Sequence, residues 1–93
     1  MMTLLETIEK LSELNRNYTI YAAKPWTPQS AAVVAEEPPR GGVPPEAAER
    51  RLSYFLEILI ARDFLDDWQA GSRKQFTAQE RCQRLIDYAT NDA

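Results

Sequence analysis

The carboxylates are the first place to look for chemistry. Asp63, Asp66 and Asp67, with Glu57 a short way upstream, form the densest acidic group in the chain. On a helix, Asp63 and Asp67 are i,i+4 neighbours, a spacing that could present two oxygens to Mg²⁺ or Ca²⁺. No glycine-containing calcium loop and no second carboxylate cluster accompanies them. The same residues fit the solvent face of a helix buried through Phe64, Leu65 and Trp68, with Arg62 pairing to Asp66 one turn on. The solvated face is therefore expected, with no metal and no cofactor.

Cys82 is the one cysteine, so an internal disulfide and a cysteine-rich metal site are both excluded. It falls in the apolar stripe of a helix, which makes it a buried structural thiol rather than a nucleophile. Activation of that thiol would need a base, and the chain has no histidine. The same absence removes Ser-His-Asp systems and every zinc site that requires imidazole. Gly41-Gly42 is flanked by prolines and has no Lys-Ser/Thr after it, so it is not a phosphate loop. Without these motifs, catalysis would rest on carboxylates, Tyr, Lys or Arg alone, and a non-enzymatic protein is expected.

Arginines occur as Arg50-Arg51, Arg73 beside Lys74, and Arg81 with Arg84. The final two helices invite comparison with a helix-turn-helix, but their connection is too long, and Asp63, Asp66, Asp67 and Asp87 would meet the phosphates. With 11 basic against 14 acidic residues the net charge is -3, so nucleic acid is an unlikely direct partner. Trp26 is the strongest candidate for recognition. It sits in a loop between Pro25 and Pro28, where an aromatic residue makes a contact anchor of low conformational entropy. The alternative is an indole folded back over the sheet as a lid on the core.

The elements that position these residues follow from pattern and punctuation. Thr3-Leu4-Leu5-Glu6 is a capping box opening a helix over 3–14, with Leu4, Leu5, Ile8, Leu11 and Leu14 on one side. The β-forming run Tyr18 to Ala23 and the apolar run Ala31 to Ala35 are strands, joined by the proline-bearing loop 24–30. Residues 36–45 hold four prolines and two glycines and form an exposed connector. At about 100° per residue, the apolar positions of 52–60 and of 61–68 point to opposite sides, so one straight helix over 46–70 would need two cores. The expected solution is a helical turn at 46–50, a strand over 52–59 and a helix over 61–70. Thr77-Ala78-Gln79-Glu80 is a second capping box, opening a helix with Ala78, Cys82, Leu85, Ile86 and Ala89 in one stripe.

The order α-β-β-β-α-α predicts an α+β fold, a small three-stranded antiparallel sheet with about three helices on one face. The alternative is a mostly α protein with a β-hairpin and a single helix over 46–70. The chain of 93 residues is expected to be a single domain, 1–93, since neither side of the 36–45 connector is long enough to fold alone. Met1-Met2-Thr3 begins no secretory signal, and the apolar run Leu52 to Ala61 is half the length of a bilayer span, so no membrane partner and a cytoplasmic location are expected.

Several stretches carry a resemblance: Lys24-Pro25-Trp26-Thr27-Pro28 leading to Ala32-Val33-Val34, Tyr54-Phe55-Leu56-Glu57 through Phe64-Leu65-Asp66-Asp67-Trp68, and Cys82-Gln83-Arg84-Leu85-Ile86-Asp87-Tyr88-Ala89. Together they resemble a small bacterial domain family of unknown function. The resemblance implies a bacterial or phage origin and a single domain, and it brings no activity, cofactor or catalytic residue.

If the helices cover the sheet face carrying Ile20, Leu56 and Ile58, the other face shows Tyr21, Phe55 and Leu59. Such a patch is too apolar for ordinary solvent contact and marks an interaction surface. With Trp26 these make the expected partner-binding set, Trp26, Tyr21, Phe55 and Leu59, and a two-fold homodimer burying the face is the simplest consequence. The function expected on these grounds is a small acidic protein–protein interaction module (an inhibitor, immunity-type or adaptor protein). A nucleic-acid-associated accessory protein is the alternative.

Overall fold

The computed structural model describes residues 2–91. The chain runs β1 (Met2–Thr3), α1 (Leu4–Glu9), a 3-10 turn (Leu11–Glu13), β2 (Thr19–Ala22), β3 (Ala31–Ala35), α2 (Pro45–Ala48), β4 (Ser53–Glu57), α3 (Ile58–Ala70) and α4 (Ala78–Asn91). It is an α+β fold, and the helix over 46–70 is replaced by α2, β4 and α3. The sheet has four strands rather than three, all antiparallel, in the order β1-β3-β2-β4. The added strand is only two residues long and pairs Met2 with Ala32 and Thr3 with Ala31.

Thr3 caps α1 as expected. The Glu6 N–H donates to Thr3 Oγ1 at 3.1 Å and the Thr3 N–H donates to Glu6 Oε1 at 2.9 Å. Two more free amides of the first turn, those of Leu4 and Leu5, donate to the carbonyls of Ser30 and Pro28 at 2.8 and 2.9 Å. The helix is shorter than the expected 3–14. It stops after Glu9 and continues as the 3-10 turn, whose carbonyl end is held by α3: Arg62 donates to the carbonyls of Leu11 at 3.0 Å and Leu14 at 2.7 Å. Arg62 therefore serves another element's backbone, where an ion pair with Asp66 was expected.

β4 is shorter than the expected 52–59 and carries a bulge. Ile20 faces Leu56 while Tyr21 faces Tyr54, which leaves Phe55 as the extra residue. Phe55 and Leu56 both join the helix-side core, and the strict alternation expected for the strand is broken at that point. α3 follows β4 without a loop. Its first amide, that of Ile58, donates to the Tyr18 carbonyl at 2.9 Å, and the Glu57 side chain makes no cap bond. Ile58 is buried as the expected strand would have it, but as the first residue of a helix; Leu59 and Ile60 are exposed.

The main core lies between the sheet and α1, α3 and α4. Ile20, Ala22 and Ala32 from the sheet, with Phe55 and Leu56, meet Leu4, Ile8, Leu11, Ile58, Ala61, Leu65, Cys82, Leu85, Ile86 and Ala89. The other sheet face is covered as well. Tyr21 and Ala35 pack with Ala47 of α2 and with Leu52, and Ala23, Ala31 and Val33 flank them. The connector thus leads into a short helix that closes the second face. The open patch of Tyr21, Phe55 and Leu59 does not form, because the bulge turns Phe55 to the opposite side and Leu59 belongs to α3.

Leu56 is 1% exposed, whereas Phe64 is half-buried and stacked on Tyr88 at 4.4 Å. Leu56→Ala should cost about 2–5 kcal/mol by lost burial and cavity. Phe64→Ala should cost clearly less, since part of its ring already faces water. Paired denaturant melts measure both.

Candidate interaction cleft

A cleft sits where the β2–β3 loop, β4 and the end of α4 converge. It has a volume of about 560 Å³ and is lined by Lys24, Pro25, Trp26, Tyr54, Phe55, Ala89 and Thr90. The loop wall is built by local hydrogen bonds. The Thr27 N–H donates to Ser30 Oγ at 2.9 Å, the Ser30 hydroxyl donates to the Pro25 carbonyl at 3.3 Å, and Ser30 itself is buried. The Lys24–Pro25 bond within it is cis.

Trp26 is half-buried and folds back over the core. Its indole Nε1–H donates to the Ala22 carbonyl at 3.2 Å, and its ring meets Phe55 edge to face at 5.0 Å. That contact lids the core, and the rest of the indole forms a wall of the cleft. Lys24 Nζ lies 4.9 Å from the centre of the same ring, within cation–π reach. Tyr54 projects from β4 with 41% of its surface exposed and touches Tyr21 edge to face at 6.4 Å. Partial burial, with Glu57 and Glu37 nearby, holds its hydroxyl above the ordinary phenol value.

Of the residues singled out from sequence, the cleft brings together Trp26 and Phe55. Tyr21 is fully buried on the far face of the sheet, and Leu59 lies in the first turn of α3. Lys24 and Tyr54 are the lining residues that sequence reasoning missed. Lys24 was legible as the neighbour of Trp26. Tyr54 was not, because its phase depends on the bulge.

The walls offer two aromatic rings and an indole for apolar contact, with one ammonium, one phenol and one threonine hydroxyl for polar contact. Among the described lining residues the charged group is the Lys24 ammonium. Among the described residues the ion pair found is Lys74–Glu80 at 2.8 Å, which leaves Lys24 without a carboxylate partner. That pair and the second capping box, Thr77 with Glu80, hold the Glu80 carboxyl down to about 2 and fix the start of α4.

The other sequence candidates are placed elsewhere. Asp63, Asp66 and Asp67 are exposed on α3, and among the described residues no three His, Cys, Asp or Glu side chains converge closely enough to hold a metal ion. Arg81 donates to the Phe76 carbonyl at 2.9 Å and Arg84 sits over the Phe64 ring at 5.3 Å. These two arginines are each engaged with a neighbour on the helical side, away from the cleft. Among the described residues no helix is long and apolar enough to cross a membrane.

No family model matches the chain, nor does any curated protein or solved structure.

Cys82 is fully buried, and burial pushes its thiol up from 9.0 to about 11. Alkylation at neutral pH should be slow in the native protein and fast once it unfolds. The unfolded thiol ionises first, so its contribution to stability is complete below pH 9.0 and is lost as the pH rises toward about 11. Thermal melts of Cys82→Ala should show a shallower alkaline decline than wild type.

Tyr21 is buried with its hydroxyl beside Thr19, and that hydroxyl makes no hydrogen bond of ordinary geometry. Removing an unsatisfied buried hydroxyl does not cost a hydrogen bond, so Tyr21→Phe should be neutral or stabilising by about 1 kcal/mol. A denaturant titration showing a loss of that size instead would mean that the hydroxyl is satisfied in solution.

Proposed function

We propose that this chain is a non-enzymatic protein–protein interaction module, of the inhibitor, immunity-type or adaptor kind, that meets its partner at the cleft and along β4. One juxtaposition supports the reading. The aromatic cleft opens beside an edge strand, because β4 pairs with β2 on one side and no strand pairs on its other side among the described residues. Such an edge carries unpaired backbone donors and acceptors, which an extended segment can satisfy.

The exposed apolar surface supports the same place. Among the described residues the large exposed hydrophobics are Val43, Tyr54, Leu59 and Ile60. Tyr54 lies in β4, and Leu59 and Ile60 follow directly in the first turn of α3. A partner seated on β4 would cover apolar side chains at the centre and reach Lys24 at the rim, the usual anatomy of a specific interface.

The test is retention of a partner from the host's own lysate on immobilised protein. Wild type should retain a defined partner, and Trp26→Ala or Tyr54→Lys should weaken retention by about tenfold or more, as truncating or charging an anchor residue does. Circular dichroism of both variants confirms that they are folded. Undiminished retention by both would place the interface elsewhere on the molecule.

A further inference from the structure

We infer that the cleft binds a small aromatic carboxylate, with the acid group at Lys24 and the ring between Tyr54, Phe55 and Ala89. The inference goes beyond the interaction-module reading and is independent of it. It begins from the volume and the walls. A space of about 560 Å³ is of the size that takes small organic molecules, and its walls are mainly apolar and aromatic with few polar groups. The Trp26 and Phe55 rings stand at 90° to each other, so wall and floor meet in a corner that a flat body can fill.

The charge selects the ligand. Lys24 Nζ lies over the Trp26 ring at 4.9 Å, which holds the ammonium against the loop wall. The ring occupies one side of that group and leaves N–H donors for another acceptor. Among the described residues no carboxylate pairs with it. An anion in the cleft supplies the acceptor, whereas a cation would meet repulsion. One ammonium matches a single negative charge. A phosphate would call for a second cation, and Lys24 is the one cation among the described lining residues.

The end of α4 sets the orientation. Its last turn, with Ala89 and Thr90, forms another wall, and a helix carries partial negative charge at its carbonyl end. The carboxylate therefore belongs on the loop side and the apolar body against Ala89. The loop wall is already built: Ser30 ties its two arms together, and the Ala22 carbonyl holds the Trp26 indole N–H. Little ordering is then needed on binding.

Two-dimensional NMR titrations with naphthylacetate, naphthylacetamide, naphthylethylamine and plain acetate test the assignment. Naphthylacetate should shift the Trp26 Nε1–H and the amides of Ala89 and Thr90, with a dissociation constant of about 1 mM or below. The acetamide keeps the rings without the charge and should bind about three- to fivefold more weakly, the worth of one exposed ion pair. The amine should be weaker still, and plain acetate should leave these signals in place at the same concentrations. Lys24→Gln should reduce naphthylacetate to the level of the acetamide and leave the acetamide unchanged. Lys24→Arg should keep most of the preference. Lys24 is exposed, so both variants should fold, and their own spectra show whether they do.

No shift at the cleft with naphthylacetate, or shifts confined to another face, overturns the inference. Equal binding of naphthylacetate and its amide does the same, as does a preference that survives Lys24→Gln. None of these outcomes touches the interaction-module reading, which the retention of a protein partner by wild type, Trp26→Ala and Tyr54→Lys tests separately.

Discussion

The bulge at Phe55 is the constraint on which the rest of the architecture turns. An unbulged strand would alternate, sending Phe55 to one face and Leu56 to the other. The extra residue lets both enter the helix-side core, where Phe55 also meets the Trp26 ring edge to face. It leaves Tyr54 in register with Tyr21 at the margin of the sheet. It also sharpens the local twist where β4 must give way to a helix. The cleft exists because these consequences fall at one place: an inward Phe55 forms its floor, an outward Tyr54 forms one lip, and the Trp26 loop forms the other.

The central position of β2 explains why so small a chain holds two apolar clusters. All four of its residues are buried, Ile20 and Ala22 toward the three longer helices and Tyr21 toward α2 and Leu52. A sheet with helices on one face alone would leave Tyr21 in water. The short helix Pro45–Ala48 prevents that with little more than one alanine and the leucine that follows the turn. The turn itself needs Arg51 at a positive φ of 58°, and the Leu52 N–H returns to the Ala47 carbonyl at 3.0 Å to hold it.

Much of this was legible in the residues, and the failures have definite causes. Both capping boxes announce their helices because the partners are three residues apart. The phase break near residue 60 correctly rules out a single helix over 46–70. What could not be read is whatever depends on distant partners. The start of α3 shows no capping side chain because its first amide is satisfied by the Tyr18 carbonyl, forty residues upstream. The early end of α1 likewise depends on Arg62 reaching the Leu11 and Leu14 carbonyls. β1 is too short to produce any pattern. At the site, Trp26 was found from its flanking prolines and Phe55 for the wrong face. Tyr54 was hidden, since a bulge inverts every assignment on one side of it.

The tether between α1 and the Trp26 loop bears on how this molecule would move. Leu4 and Leu5 donate their amides to carbonyls on the returning arm of that loop, and Ser30 binds its two arms together. The first turn of α1, the short strand β1 and the wall of the cleft are therefore one mechanical unit: loosening any of them strands backbone groups in the others. Local opening there should be a single cooperative event rather than independent fraying of a terminus and a loop. In such a unit the rigidity of the indole wall is set at the far end of the sheet, by residues that never touch the cleft.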